Sequence, residues 1–346
     1  IRSGQRAVEA DRLYADGFGN DKYYTTYRNH HEHQLCWAAM FAGQHAIAAA
    51  AAERVVAGTP RSLYDKYVDI LEPLGALPWE VDVRFGRWEE LLRRPLPATP
   101  GCECVTTAFA RYTRALAFSA LGRLAEAESE ASAFEAAVAR VPTTRIVHMV
   151  TSHKSLAIAS CVLRGEMAYR HCRFREAFDA LRAAVALDDA LPYDEPWGWK
   201  IPARHALGAL LLERAMESST GRPPTADAAA LLAEAETVYR TDLQRYPENL
   251  WSLTGLKACL EQRSAATGDE QAPTRTTGGL RASRTELDRV GARLAHALSQ
   301  SDVVVRHSCF CAGRALERTG AADEEEESCG AKCAKQQRVL SDVQMR

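Results

Sequence analysis

No apolar stretch in this chain reaches the roughly 18 residues that a membrane-spanning helix needs. The nearest approach, Ala46 to Ala52, runs straight into Glu53 and Arg54. An excess of charge of one sign is missing as well. The 43 basic and 45 acidic side chains leave a net charge of −2, so no global field draws nucleic acid or an anionic membrane. There is no nucleophile elbow, phosphate-binding loop or dinucleotide fingerprint, and Gly278-Gly279 stands alone in a polar stretch. Strand signals are nearly absent. The first residue is Ile1 rather than methionine, which suggests a numbering that starts inside a longer precursor, so localisation is not read from the lack of a leader.

What is present is an ordinary soluble composition, 47% hydrophobic and 25% charged, on 346 residues. That length is too great for one compact core and suits two domains or one extended array. Ten cysteines do not make a secreted disulfide framework, because that rule belongs to short, core-poor chains. Cys36, Cys161, Cys172 and Cys259 sit in apolar helical patterns, where free cysteine acts as a small hydrophobe. The rest come in close pairs: Cys102/Cys104 and Cys309/Cys311 lack typical zinc-knuckle spacing, while Cys329/Cys333, after the acidic run, leaves a metal or a disulfide open, with a mobile tail the favoured reading. His307 beside Cys309 makes a small Cys/His cluster, which packing of a terminal helix explains more cheaply. A soluble protein of a reducing, intracellular compartment is the favoured reading.

Alanine, leucine, glutamate and arginine dominate, all strong helix formers. Apolar residues recur at three and four, as in Leu207, Leu210, Leu211 and Leu231, Ala235, Val238. One short pattern returns between helical stretches: Gly43-x-His45-x-x-Ala48, Gly86-x-Trp88-x-x-Leu91, Gly122-x-Leu124-x-x-Ala127 and Cys172-x-Phe174-x-x-Ala177. It reads as a helix, a tight turn at a small residue, and a second helix whose alanine permits close approach.

This pattern resembles the tetratricopeptide repeat, about 34 residues of helix–turn–helix. With Gly43 as the turn glycine, Asn29 takes the first repeat position. Leu35, Ala48 and Pro60 then fall where the family has leucine, alanine and proline. Similar registers begin near Ala108, Ile158 and Ile201, the last with Leu207-Gly208 at the family's Leu-Gly pair and Pro247 as closing proline. The fourth repeat is interrupted at 218–224. The resemblance implies an all-α fold, a right-handed superhelical α-solenoid of about five to six repeats over residues 29–300. Residues 1–28 are an N-terminal extension. Pro73 and Pro78 make 63–107 an irregular repeat, and 265–283 is a polar loop. A capping helix is expected over 301–320, then an acidic linker and C-terminal tail at 321–346.

The family's groove positions carry candidate binding residues. In the first repeat they are His30, His33, Trp37, Met40 and Phe41. Asn29 with Glu32 resembles a capping box, so the helix is expected to begin there. The helix dipole would then hold His30 and His33 neutral, fit for metal binding or base chemistry. Glu166 falls at a groove position of the third repeat; in the fourth, His205 does so, with Arg204 adjacent. Trp197 and Trp199 lie in the loop 194–199, where Arg204 is expected to pair with Asp194 or Glu195. Asn249 and Trp251 follow one repeat on. The resemblance implies an interaction scaffold that holds a partner protein or peptide in its concave groove. Few groove lysines, arginines or asparagines are present, which favours a hydrophobic or aromatic partner segment. The alternative is a small-molecule or metal-binding protein, or an enzyme, with a His/Trp/Arg pocket. No cofactor is expected under the first reading; under the second, His30, His33 and His205 would hold a transition metal if the array curled enough to bring them together.

Overall fold

The computed structural model describes residues 1–99, 101–218, 225–266 and 278–312, with side chains left out at 266 and 278–285. Most of the interruption at 218–224, most of the loop 265–283, the acidic run and the Cys329/Cys333 pair lie outside the described residues. The fold is all-α. Its helices are α1 (Arg2–Phe18), α2 (Tyr24–Phe41), α3 (His45–Ala57), α4 (Arg61–Lys66), α5 (Val68–Leu71), α6 (Leu77–Arg84), α7 (Trp88–Arg93), α8 (Cys104–Ala120) and α9 (Leu124–Val138). After a minimal antiparallel hairpin, β1 (Ile146–Val147) and β2 (Val150–Thr151), come α10 (Ser152–Arg170), α11 (Phe174–Asp189), α12 (Ala203–Glu217), α13 (Ala226–Arg245), α14 (Leu250–Ala266) and α15 (Gly278–Leu298).

The recurring sequence pattern corresponds to one repeated turn. Gly43, Gly86, Gly122 and Cys172 all adopt positive φ, at +70°, +62°, +74° and +58°. In each turn the next residue returns its N–H to a carbonyl five residues back: Gln44 to Ala39, Arg87 to Asp82, Arg123 to Phe118 and Arg173 to Ala168, at 2.8–2.9 Å. This Schellman geometry satisfies the last carbonyls of one helix and reverses the chain. The second helix starts at the bulky residue of the pattern, His45, Trp88, Leu124 or Phe174. Its small or apolar partner, Ala48, Leu91, Ala127 or Ala177, is fully buried.

Consecutive helices pair, α2 with α3, α8 with α9, α10 with α11, α12 with α13 and α14 with α15, and from α8 onward each pair packs on the next. Between α3 and α8 the order breaks into α4, α5, a 3₁₀ turn (Glu72–Ala76), α6 and α7. Pro73 and Pro78 occupy helix-starting positions there, where the missing N–H costs nothing. Glycine permits the tightest approach in the second half: a Cβ on Gly255 would lie 2.1 Å from the Tyr239 ring.

The two ends of the array meet. Trp251 of α14 donates its indole N–H to the carbonyl of Met40 in α2 at 2.8 Å. The Tyr246 ring packs tilted against Phe41 and edge-to-face against Trp37, and one hydrophobic cluster runs from α2, α3 and α6 to α12, α14 and α15. Residues 301–312, expected as the start of a capping helix, contain no helix. They form a strap that returns to the first repeat and then runs over α6, α10, α12 and α14. Ser301 donates its hydroxyl to the carbonyl of Gly43, and the Asp302 carboxylate accepts the free N–H groups of His45 (2.6 Å) and Ala46 (2.9 Å). Helix α3 has no side-chain cap of its own, so Asp302 supplies it from the other end of the chain. Asp302→Ala is expected to cost about 1–2 kcal/mol in urea unfolding, with amide exchange accelerating first at the start of α3.

The α2–α3 helix pair starts earlier than the sequence register suggests. Helix α2 begins at Tyr24, so Asn29 and the histidines lie in its interior. Glu32 forms no capping box; it holds Arg54 of α3 through two hydrogen bonds, while Asn29 donates to Thr59. The N-terminal extension 1–28 contains α1, tied to α2 by the buried Asp11, which accepts from Tyr24 and pairs with His31. One face of the interior His31 is thereby anchored to α1.

Candidate functional site

The histidines of α2 meet a partner that sequence spacing does not indicate. His148, at the tip of the hairpin, lies 3.1 Å (Nε2) from His33 Nδ1, and its ring faces His30 with centroids 5.0 Å apart. His148 has φ +49°, which the two-residue turn between β1 and β2 imposes. His33 is fully buried, and among the described residues its Nε2 has no hydrogen-bond partner. Burial holds both rings neutral: it pushes His33 well below its ordinary range and His148 down to about 4, reinforced by the nearby Lys200 ammonium. The helix dipole is not what keeps these histidines neutral, because α2 begins well before His30, at Tyr24; desolvation is the cause. Lys200 itself is buried 3.5 Å from Glu80.

His205 belongs elsewhere. It lies in a buried polar network, its Nδ1 2.9 Å from the Arg84 guanidinium and its Nε2 2.9 Å from the Asp242 carboxylate. Arg84 can only donate, so Nδ1 accepts and the neutral Nε2–H tautomer donates to Asp242. Asn249 and Ser252 donate to the same carboxylate. With both nitrogens engaged and the residue 1% exposed, His205 has no free face for a ligand or a proton transfer. His30, His33 and His205 therefore do not form the cluster expected of them. Among the described residues the side chains of metal-ligating type that do come together are Glu166, Cys309 and Cys311.

The other candidate residues of the second half lie beneath the strap or in buried packing. Trp251 is fully buried between the Arg84 guanidinium, 3.4 Å from its ring, and Phe310. Ser308 of the strap donates to the His205 carbonyl and bonds the Tyr239 hydroxyl, while Arg84 and Arg170 donate to the carbonyls of Ser308 and Cys311. Glu166 lies beneath, facing the strap cysteines. Asn249 is committed to the His205 network, and Trp199 is packed in the second core among Phe109 and Tyr112. Arg204 pairs with neither Asp194 nor Glu195. Both its terminal nitrogens reach Asp189 at 2.6 Å, which leaves no fork for an anion.

Two of the sequence-derived residues do reach an open cleft. Trp37 of α2 and Trp197 of the loop 193–197 line a cavity of about 570 Å³ with Tyr193, Asp194, Arg245 and Tyr246. The Arg245 guanidinium lies 3.8 Å from the Trp197 ring. The Trp197 indole donates to Asp188, which also accepts the Ala203 N–H and so fixes the loop against α12. Burial raises Asp188 to about 6. Asp194, which accepts from the Met149 and Glu195 amides, links the cleft to the histidine hairpin. A wider depression at the α10–α11 turn is lined by charges that already pair with one another, Arg173 with Glu176 and Arg175 with Asp179. No described helix is long and apolar enough to cross a membrane. The chain matches no family model, no curated protein and no solved structure.

Proposed function

We propose that the protein is an interaction scaffold, a right-handed solenoid of tetratricopeptide-like repeats, that binds an extended segment of a partner protein. The observation that carries this reading is the aromatic cleft. Apolar walls from Trp37, Trp197 and Tyr246 surround a few fixed polar groups, the composition expected of a site that takes one apolar anchor. The strap supports it by analogy within the molecule. Arg84 and Arg170 hold polypeptide through its main-chain carbonyls, a recognition mode indifferent to side chains. Because the strap fills the concave face beside α12 and α14, the partner's place is the cleft. The exposed Glu195 on its rim favours a segment with an aromatic or long aliphatic anchor beside a basic residue.

Selection of a random displayed peptide library on the immobilised full chain tests the proposal. Enriched peptides are expected to carry Trp, Phe or Leu next to Lys or Arg. Their affinity should fall roughly tenfold or more in Trp37→Ala or Trp197→Ala, the range of an interface hot spot, with far-UV circular dichroism unchanged. Failure to enrich any peptide, or equal binding by both variants, would overturn it. The cleft volume also suits a small molecule. An unexplained mass co-purifying in native mass spectrometry, lost in Trp197→Ala, would favour that second reading.

A further inference from the structure

Cys309 and Cys311 are spaced by one residue on the strap, and both sulfurs approach Glu166 of α10. The ligand atoms of the three residues all lie within 4.8 Å of one another. Cys309 Sγ is 2.8 Å from Cys311 Sγ and 4.0 Å from Glu166 Oε1. Glu166 and Cys311 are buried, at 2% and 5% exposure, while Cys309 is half-buried. Two segments 143 residues apart in sequence thus deliver two sulfurs and a carboxylate to one point inside the fold.

We infer that Glu166, Cys309 and Cys311 form a zinc-binding site that fastens the strap to α10. Thiolate and carboxylate donors together suit Zn²⁺, which takes four tetrahedral ligands; three from the protein leave one position for water or an incoming ligand. The charge balance favours the ion. Two thiols release two protons when they take up one divalent cation, so the net charge of this buried region does not change. Donors to the resulting thiolates are already in place. The Cys311 N–H lies 3.3 Å from Cys309 Sγ, and the buried Nε–H groups of Arg84 and Arg170 have no hydrogen-bond partner among the described residues. Both guanidinium groups are near enough to Cys311 to interact with it electrostatically. Arg170 also holds the Cys311 carbonyl. Such outer donors orient sulfur ligands and offset their charge.

The test is cobalt titration of the full chain after reduction and chelator treatment. One equivalent of Co²⁺ is expected to produce a sulfur-to-cobalt charge-transfer band that stoichiometric Zn²⁺ abolishes. The band should vanish in Cys309→Ser/Cys311→Ser and persist unchanged in Cys329→Ser/Cys333→Ser. Glu166→Gln, which spares both sulfurs, should keep the band but weaken Co²⁺ binding by roughly tenfold or more. It carries the test if the double serine variant fails to fold. The site is overturned if no band forms, if the band survives loss of Cys309 and Cys311, or if Glu166→Gln binds as tightly as the native chain. A protein two hydrogens lighter, with a Cys309–Cys311 disulfide in its peptide map, would overturn it in favour of a redox pair.

Discussion

Trp251→Ala is expected to lower the stability of the folded chain by about 3–5 kcal/mol, the range for truncating a large buried aromatic. The indole is fully buried and does three things at once. Its ring fills the seam between Phe85 and Phe310. Its N–H satisfies the Met40 carbonyl across the closure of the array. Its face lies against the guanidinium of Arg84, which makes no salt bridge among the described residues and which burial pulls down to about 9. Truncation therefore opens a cavity, leaves the Met40 carbonyl with only the long 3.5 Å bond from the Gly43 N–H and removes the electrostatic partner of a buried cation. Trp251→Phe separates these contributions: it keeps most of the ring and loses the hydrogen bond, for about 1–2 kcal/mol. Urea unfolding followed by far-UV circular dichroism measures both. Amide exchange should rise in α2 and α14 together, because the indole joins them. A loss below about 1 kcal/mol for Trp251→Ala would mean that the ends do not depend on each other.

Much of the helical framework is legible in the sequence because it is periodic. The small-x-bulky-x-x-alanine pattern marks four turns, and each has the same positive φ and the same five-residue return bond. The residues that sequence reading misplaces belong to segments without period. The hairpin has two residues per strand, and its tip, His148-Met149, has no Asn or Gly to announce a turn; the β-branched pairs Ile146-Val147 and Val150-Thr151 are its single signal. The strap follows no helical repeat, so the meeting of Cys309 and Cys311 with Glu166 is invisible in the sequence, although each residue stands out separately. The groove positions include Trp37, which lines the cleft. They fail for His205, Trp251 and Asn249, because a repeat register says which face a side chain takes and nothing about what later covers that face. Arg84 and Asp242, which define the tautomer of His205, belong to no sequence pattern that marks them.

Acid should destabilise the protein through the hairpin histidine, and His148→Asn should remove much of that sensitivity. Asparagine tolerates the positive φ at this position and does not titrate. His148 has a pKa of about 4 in the folded chain, pushed down by burial first and by His30 and Lys200 next. In the unfolded chain it returns to about 6.5. Between these values the unfolded state binds more protons, so stability rises with pH. The contribution is fully present above about pH 6.5 and is lost as the pH falls toward 4. Each tenfold change in proton affinity is worth about 1.4 kcal/mol, and partial exposure of the ring discounts the whole, leaving a loss of about 2 kcal/mol across the window. His33, whose pKa His148 itself helps to depress, retains part of the acid sensitivity in the variant. Asp188 acts in the opposite direction, because burial raises it to about 6, but it is common to both proteins and cancels in the comparison. Unfolding free energies at a series of pH values from about 4 to about 7.5 therefore isolate the hairpin. Native and variant proteins should differ by a constant at the neutral end of the series and converge, or cross, toward its acid end. Parallel curves across the whole series would place the acid-sensitive group outside the His33–His148 contact.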